Sequence, residues 1–191
     1  VAVGTTQNTI LGFENDGSGN FGNSFIIDEL PDFDGLISII TPDLDGDGSE
    51  DIVAGGFGEA LQTISYLNDG SGSFSDPTTI NVFAPISLFA DDLNGDANTE
   101  ILFAASPAGA VAWHQNQGNG TMGGENLLNT FSDPQPGQEF FEFGNDDGTG
   151  LLTEAIYNTG DVDNDGRNEV FVWGTDNQGT EEIRIFNIEA D

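Results

Sequence analysis

"DLDGDGSEDIV", residues 43–53, sets five carboxylates among its first nine residues. Like charges that close repel one another unless something neutralises them. The stretch is not unique. It returns as "DLNGDANTEIL" at 92–102 and as "DVDNDGRNEVF" at 161–171. A second motif follows each copy: "ISYLNDGSGSF" at 64–74, "VAWHQNQGNGT" at 111–121 and "IRIFNIE" at 183–189. From the first Asp of each loop to the Asn of its second motif (Asn68, Asn116, Asn187) the intervals are 25, 24 and 26 residues. A further copy of the second motif, "ILGFENDGSGNF" with Asn15, stands near the start. Phase-locking of this kind is the mark of a structural repeat.

Each unit reads as four short strands. In the middle unit they are expected at Ile86–Asp91, Glu100–Ala105, Ala110–Asn116 and Glu125–Phe131, with the acidic loop between the first and second. The runs are rich in Ile, Val, Phe and Leu and bounded by Gly, Asn and Asp, as strands require. "NDGSG" supplies residues that tolerate positive φ, which suits a tight hairpin. No window carries a 3.6-residue apolar period, so almost no helix is expected. Four strands in a period of about 50 residues point to an all-β fold of propeller blades, each of four antiparallel strands.

"PDLDGDGSEDIVAGG" and "ISYLNDGSGSF" resemble the FG-GAP/VCBS repeats of integrin-α-like propellers, a resemblance that covers residues 1–131 and 152–187. It implies blades that each carry a calcium loop, and an extracellular or cell-surface setting. It implies no particular activity, because such propellers serve in adhesion, in sugar binding and as passengers on enzymes.

The divisions expected are a partial blade at 1–30, blades at 31–84 and 85–131, an insertion at 132–151 and a partial blade at 152–191, all in one propeller segment. "VAVGT" reads as a second strand and "EEIRIF" as a third, so the units hold three, four, four and three strands. That count suits part of a larger propeller of about seven blades, or an open arc whose end strands pair with another chain. A chain opening on Val is expected to be a processed or excised product. The insertion begins as a Pro/Gly loop and then mimics the hairpin motif in "EFFEFGNDDGTG".

A hard cation explains the acidic loops. Calcium takes six to eight oxygens, from carboxylates, carbonyls and water. Asp at positions 1, 3 and 5 can converge on the inside of a turn that Gly at position 6 permits; a carbonyl at 7 and an acid at 9 complete the set. These are Asp43, Asp45, Asp47, Ser49 and Asp51 in the first loop, and Asp161, Asp163, Asp165, Arg167 and Glu169 in the third. The middle loop has Asp92, Asn94, Asp96, Asn98 and Glu100, with Ala97 where Gly is preferred. It carries three acids against four, so it should bind weakest of up to three sites. An EF-hand would need a bidentate Glu at position 12 and flanking helices; position 12 is Ala54, Phe103 and Val172. Zinc or copper would want His or Cys, and the chain has one His and no Cys.

Thirty-four acids face only Arg167 and Arg184, a net charge of −32, which argues against nucleic acid as a partner. No apolar run approaches a membrane span. The absence of Cys removes any disulfide argument about compartment. His114 has no triad-like company in the sequence and is expected at the surface or a blade edge, while Trp113 and Trp173 suit packing between sheets. The expected function is binding rather than catalysis: an adhesion module for a protein or carbohydrate ligand within a larger secreted protein. The alternative is a structural subunit joined through blade edges. A propeller attached to a polysaccharide-active enzyme is the least favoured.

Overall fold

The computed structural model describes residues 2–6, 8–58, 62–80, 85–105, 110–128, 157–164, 166–175, 181–186 and 188. The alternation of β-branched and small residues in these segments yields strands, and none of the described residues is helical. The first antiparallel sheet holds β1 (Ala2–Thr6), β2 (Thr9–Asn15) and β3 (Phe21–Glu29). The second holds β4 (Phe33–Ile40), β5 (Ile52–Gly58), β6 (Gln62–Tyr66) and β7 (Thr78–Ile80). In the third are β8 (Pro85–Asp91), β9 (Glu100–Ala105), β10 (Ala110–Asn116) and β11 (Met122–Leu128). The fourth has β12 (Tyr157–Gly160), β13 (Glu169–Thr175) and β14 (Glu181–Phe186). Within each sheet the strands follow chain order, the meander of a propeller blade.

The core is not one cluster but three, each lying between successive sheets. Ile10 and Leu30 meet Phe33, Ile52, Ala54, Ile64 and Tyr66 at the first junction. Val53 and Ile80 meet Leu88, Ile101, Phe103 and Ala112 at the second. Leu93, Leu102, Val111 and Trp113 meet Val170 and Ile188 at the third. Successive side chains of a strand point to opposite faces. Ile52 and Ala54 therefore serve one neighbour and Val53 the other, and β9 divides in the same way. This is why the inner strands read as unbroken apolar runs: they are buried on both faces.

Close approach also selects small residues. A Cβ at buried Gly56 would meet the Gly35 carbonyl oxygen and fall 2.9 Å from Phe33 Cδ1, so only glycine lets β4 and β5 sit at their observed distance.

In the third sheet β9 and β10 have the expected bounds, and β8 begins one residue early. The fourth strand, expected at 125–131, instead begins at Met122. The hairpin needs fewer residues than allowed for: Gln117 N–H donates to Thr121 O (3.0 Å), with Gly118 and Gly120 at φ 76° and 73°. Asp16 with Asn20 (3.0 Å) and Asp69 with Ser73 (3.1 Å) close the first two hairpins the same way. The proposed insertion, 132–151, and Asn187 lie outside the described residues.

Candidate metal centre

The three acidic loops share one backbone path. Positions 4 and 6 are both left-handed: Gly46 (75°) and Gly48 (86°), Gly95 (78°) and Ala97 (70°), Asn164 (61°) and Gly166 (91°). The position-1 carboxylate organises the turn. Asp43 Oδ1 accepts from Gly46 N–H (2.8 Å) and Oδ2 from Gly48 N–H (3.0 Å). Asp92 does the same with Gly95 (2.8 Å) and Ala97 (3.0 Å), and Asp161 Oδ2 accepts from Gly166 (3.0 Å). Further along, Asp45 and Asp47 accept from Asp47 N–H (3.2 Å) and Ser49 N–H (2.7 Å) through one oxygen each.

Three carboxylates converge in each loop. In the first, Asp43, Asp45 and Asp51 each bring one oxygen within 4.8 Å of the others. Asp92, Asp96 and Glu100 do so in the second, and Asp161, Asp163 and Glu169 in the third. Asp47 stands outside the first triad, and Asp165 falls outside the described residues. Asn94, expected to ligate through its side-chain oxygen, is buried; its Nδ2 donates to Asp96 Oδ2 (3.1 Å) and its Oδ1 accepts from Asp96 N–H (2.9 Å).

The position-9 acid has a role that the loop sequence alone hid. Asp51, Glu100 and Glu169 are buried, whereas positions 1 and 3 of the first and third loops are not. Asp51 Oδ2 accepts from Leu44 N–H (2.7 Å) inside the loop, and Oδ1 accepts from Asn68 N–H (2.7 Å) after the third strand. Glu100 repeats this with Leu93 (3.0 Å) and Asn116 (3.4 Å), and Glu169 takes Val162 N–H (2.8 Å). The Asn of the second motif is thus a partner of the loop, which is why the interval between them barely varies. Its amide also donates across: Asn68 Nδ2 to Glu50 O (3.0 Å), Asn116 Nδ2 to Thr99 O (3.1 Å).

Burial raises the carboxyl of Asp51 above the ordinary carboxylate range, and the charges of Asp45 and Asp43 push the same way. Glu100 is pushed up to about 7, by burial first and then by Asp96 and Asp92, against the pull of its two backbone N–H donors. Clustered carboxylates, one of each set desolvated, fit a cation. Oxygens sharing one calcium ion at about 2.3–2.6 Å lie no more than about 5 Å apart, and the triads meet that limit. All three acidic clusters could hold a metal ion, and their donors are oxygen throughout, the set a hard cation takes.

His114 is not at the surface as expected. It is buried between the second and third sheets, stacked on Phe103 with ring centroids 5.4 Å apart, and Nδ1 pairs with Gly123 O at 2.9 Å. Strand parity places it on the same face as Ala112, inside the stack. Trp113 packs in the third junction, as expected of a blade aromatic. A cleft of 390 Å³ opens beside the first two loops, lined by Ile40, Thr41, Pro42, Phe89, Ala90, Asp91 and Thr99.

Residues 43–103 match the family model described as an FG-GAP-like repeat, so the chain carries a repeat of that kind. Among solved structures it is similar to a lectin of Agrocybe aegerita described by its specific recognition of non-reducing terminal N-acetylglucosamine. The two are 20% identical with a TM-score of 0.57; the match covers 95% of this chain and 48% of the lectin chain. That likeness shows a shared fold, of which this chain spans about half the lectin's length. No curated protein matches the sequence.

Proposed function

We propose that the chain is a calcium-stabilised, non-catalytic binding module of a larger secreted or cell-surface protein. The observation that carries the reading is the threefold convergence of carboxylates around a buried position-9 acid. Calcium would supply positive charge where the fold has gathered mostly carboxylates, tying the first and second strands of a blade together. Asp43, Asp45 and Asp51, then Asp92, Asp96 and Glu100, then Asp161, Asp163 and Glu169 would hold it. Asp47, Asn94 and Asp165, with the carbonyls of Ser49, Asn98 and Arg167, are proposed to complete the shells. Because the fold would bind calcium and the unfolded chain would not, stability should follow calcium concentration. A melting temperature unmoved by chelator would refute this reading.

The ligand is proposed to be a carbohydrate or a protein. The lectin likeness makes glycans with terminal N-acetylglucosamine the first to screen, with calcium and with chelator. A screen without a calcium-dependent hit would count against a sugar ligand. One observation favours a second reading, assembly through the end blades. The inner sheets are covered on both faces, whereas Ile26 on β3 and Ile185 on β14 are 59% and 53% exposed. Further blades of the same propeller or a second copy would cover them. A strictly monomeric chain at high concentration would leave only further blades for that role.

A further inference from the structure

Asn68 and Asn116 occupy the same place in successive blades, yet Asn116 makes one bond more. Its Nδ2 donates not only to Thr99 O but also to Leu44 O (2.7 Å), in the acidic loop of the preceding blade. Leu44 O accepts a second bond from Gly120 N–H (3.0 Å), in the hairpin that Asn116 opens. The Leu44 N–H, one residue plane away, is held by Asp51 Oδ2. Asn116 N–H in turn reaches Glu100 Oε1 at 3.4 Å, a length with room to shorten. A continuous set of bonds therefore runs from the closing acid of the first loop to that of the second. Leu44, Asn116 and Glu100 are all within 1% of full burial, so solvent does not compete along the path. The hairpin is also held at a fixed distance: a Cβ at Gly120 would fall 2.7 Å from Leu67 Cδ2.

We infer that Asn116 is a positioning residue that couples the first and second acidic loops, so that a cation in either raises the affinity of the other. The inference rests on the calcium reading of the loops. A cation in the first loop fixes Asp51 and with it the Leu44 peptide; Asn116 is then held, and its N–H is aimed at Glu100. Coupling between binding sites is reciprocal, so loading the second loop must aid the first by the same factor. The Asp161 loop lies against the second loop, with Arg167 beside Gly95 and Asn168 Nδ2 donating to Asp91 Oδ2 (3.1 Å), so the test compares the first two loops with the third one disabled.

Calcium titrations followed by amide resonances test it in a chain whose third loop is disabled by Asp161→Asn and Asp163→Asn, with Gly46 and Gly95 reporting the other two. Disabling the first loop as well, with Asp43→Asn and Asp45→Asn, should move the Gly95 midpoint to about fivefold higher calcium or more. Asn116→Ala should weaken the responses of Gly46 and Gly95 and abolish the effect of the first-loop substitutions on Gly95. If Asn116→Ala does not fold, the first-loop variant with Asn116 intact decides alone. A Gly95 midpoint that stays put in that variant overturns the inference, as does a first-loop effect on Gly95 that persists in Asn116→Ala. Saturation at both glycines without coupling would overturn the inference alone; no calcium response at either would overturn the calcium reading with it.

Discussion

Replacing Asp51 by Asn keeps the size of a buried side chain while removing its charge and one of its two acceptors. In the fold both oxygens are used, each at 2.7 Å, by Leu44 N–H and Asn68 N–H. An amide can accept only one of these bonds, so one donor is left facing an NH2 group inside the protein. An unmet buried donor costs about 1–3 kcal/mol. Part of that is offset without calcium, because the carboxylate is disfavoured there by burial and by Asp45 and Asp43. In chelator the variant should therefore lose only about 1–2 kcal/mol. With free calcium at a hundred times the dissociation constant, the unaltered loop gains about 2.7 kcal/mol from binding, and a variant that cannot bind forfeits it. Urea denaturation in chelator and in calcium reads both numbers as midpoint shifts. Equal destabilisation in the two conditions would show that Asp51 serves only as a hydrogen-bond acceptor, and the metal role assigned to it would fall.

Ala97 holds φ 70° where the other loops have glycine, and a left-handed residue with a Cβ costs about 1–2 kcal/mol. Ala97→Gly should therefore raise stability by about 1 kcal/mol and tighten calcium at the middle loop, measured by denaturation and titration. Tyr66 donates its hydroxyl to Asp28 Oδ2 at 2.7 Å across the first blade junction; Tyr66→Phe should cost about 1–2 kcal/mol and leave calcium binding intact. The carboxyl of Glu100 has its ordinary value of 4.5 in the unfolded chain and about 7 in the metal-free fold. The fold binds the extra proton, so metal-free stability should fall as pH rises from about 4.5 to about 7. Calcium, which favours the ionised carboxylate, should flatten that fall; parallel denaturation series at pH 5 and pH 7.5 check it.

The blade plan was legible because two periodicities coincide in the chain. Ile, Val and Leu runs such as 52–53 and 101–102 mark strands buried on both faces, and the Asp loops recur in fixed phase with an Asn. Spacing pointed to the loop carboxylates only in part: positions 1 and 9 converge in all three loops, joined by position 3 in the first and third and by position 5 in the second. What the sequence concealed depends on neighbours that only the stack provides. His114 looked like a polar residue at an edge, yet strand parity turns it into the second junction against Phe103. Glu100 looked like one more ligand, yet it also receives Leu93 and Asn116 N–H groups. The constant loop-to-Asn interval was visible, but its cause is a hydrogen bond across a blade. The tighter hairpin at 117–121 shifted the fourth strand for a similarly local reason, a bond between Gln117 and Thr121 that needs two left-handed glycines.

The central claim is that calcium neutralises the acidic loops and thereby holds the blades. Calorimetric titration of calcium into the chelator-stripped chain, with melting curves recorded at each end, tests it most directly. Up to three ions per chain are expected, the Asp92 loop weakest, with a melting temperature that rises on loading. A chain that takes up no calcium, or melts at the same temperature with and without it, would contradict the account.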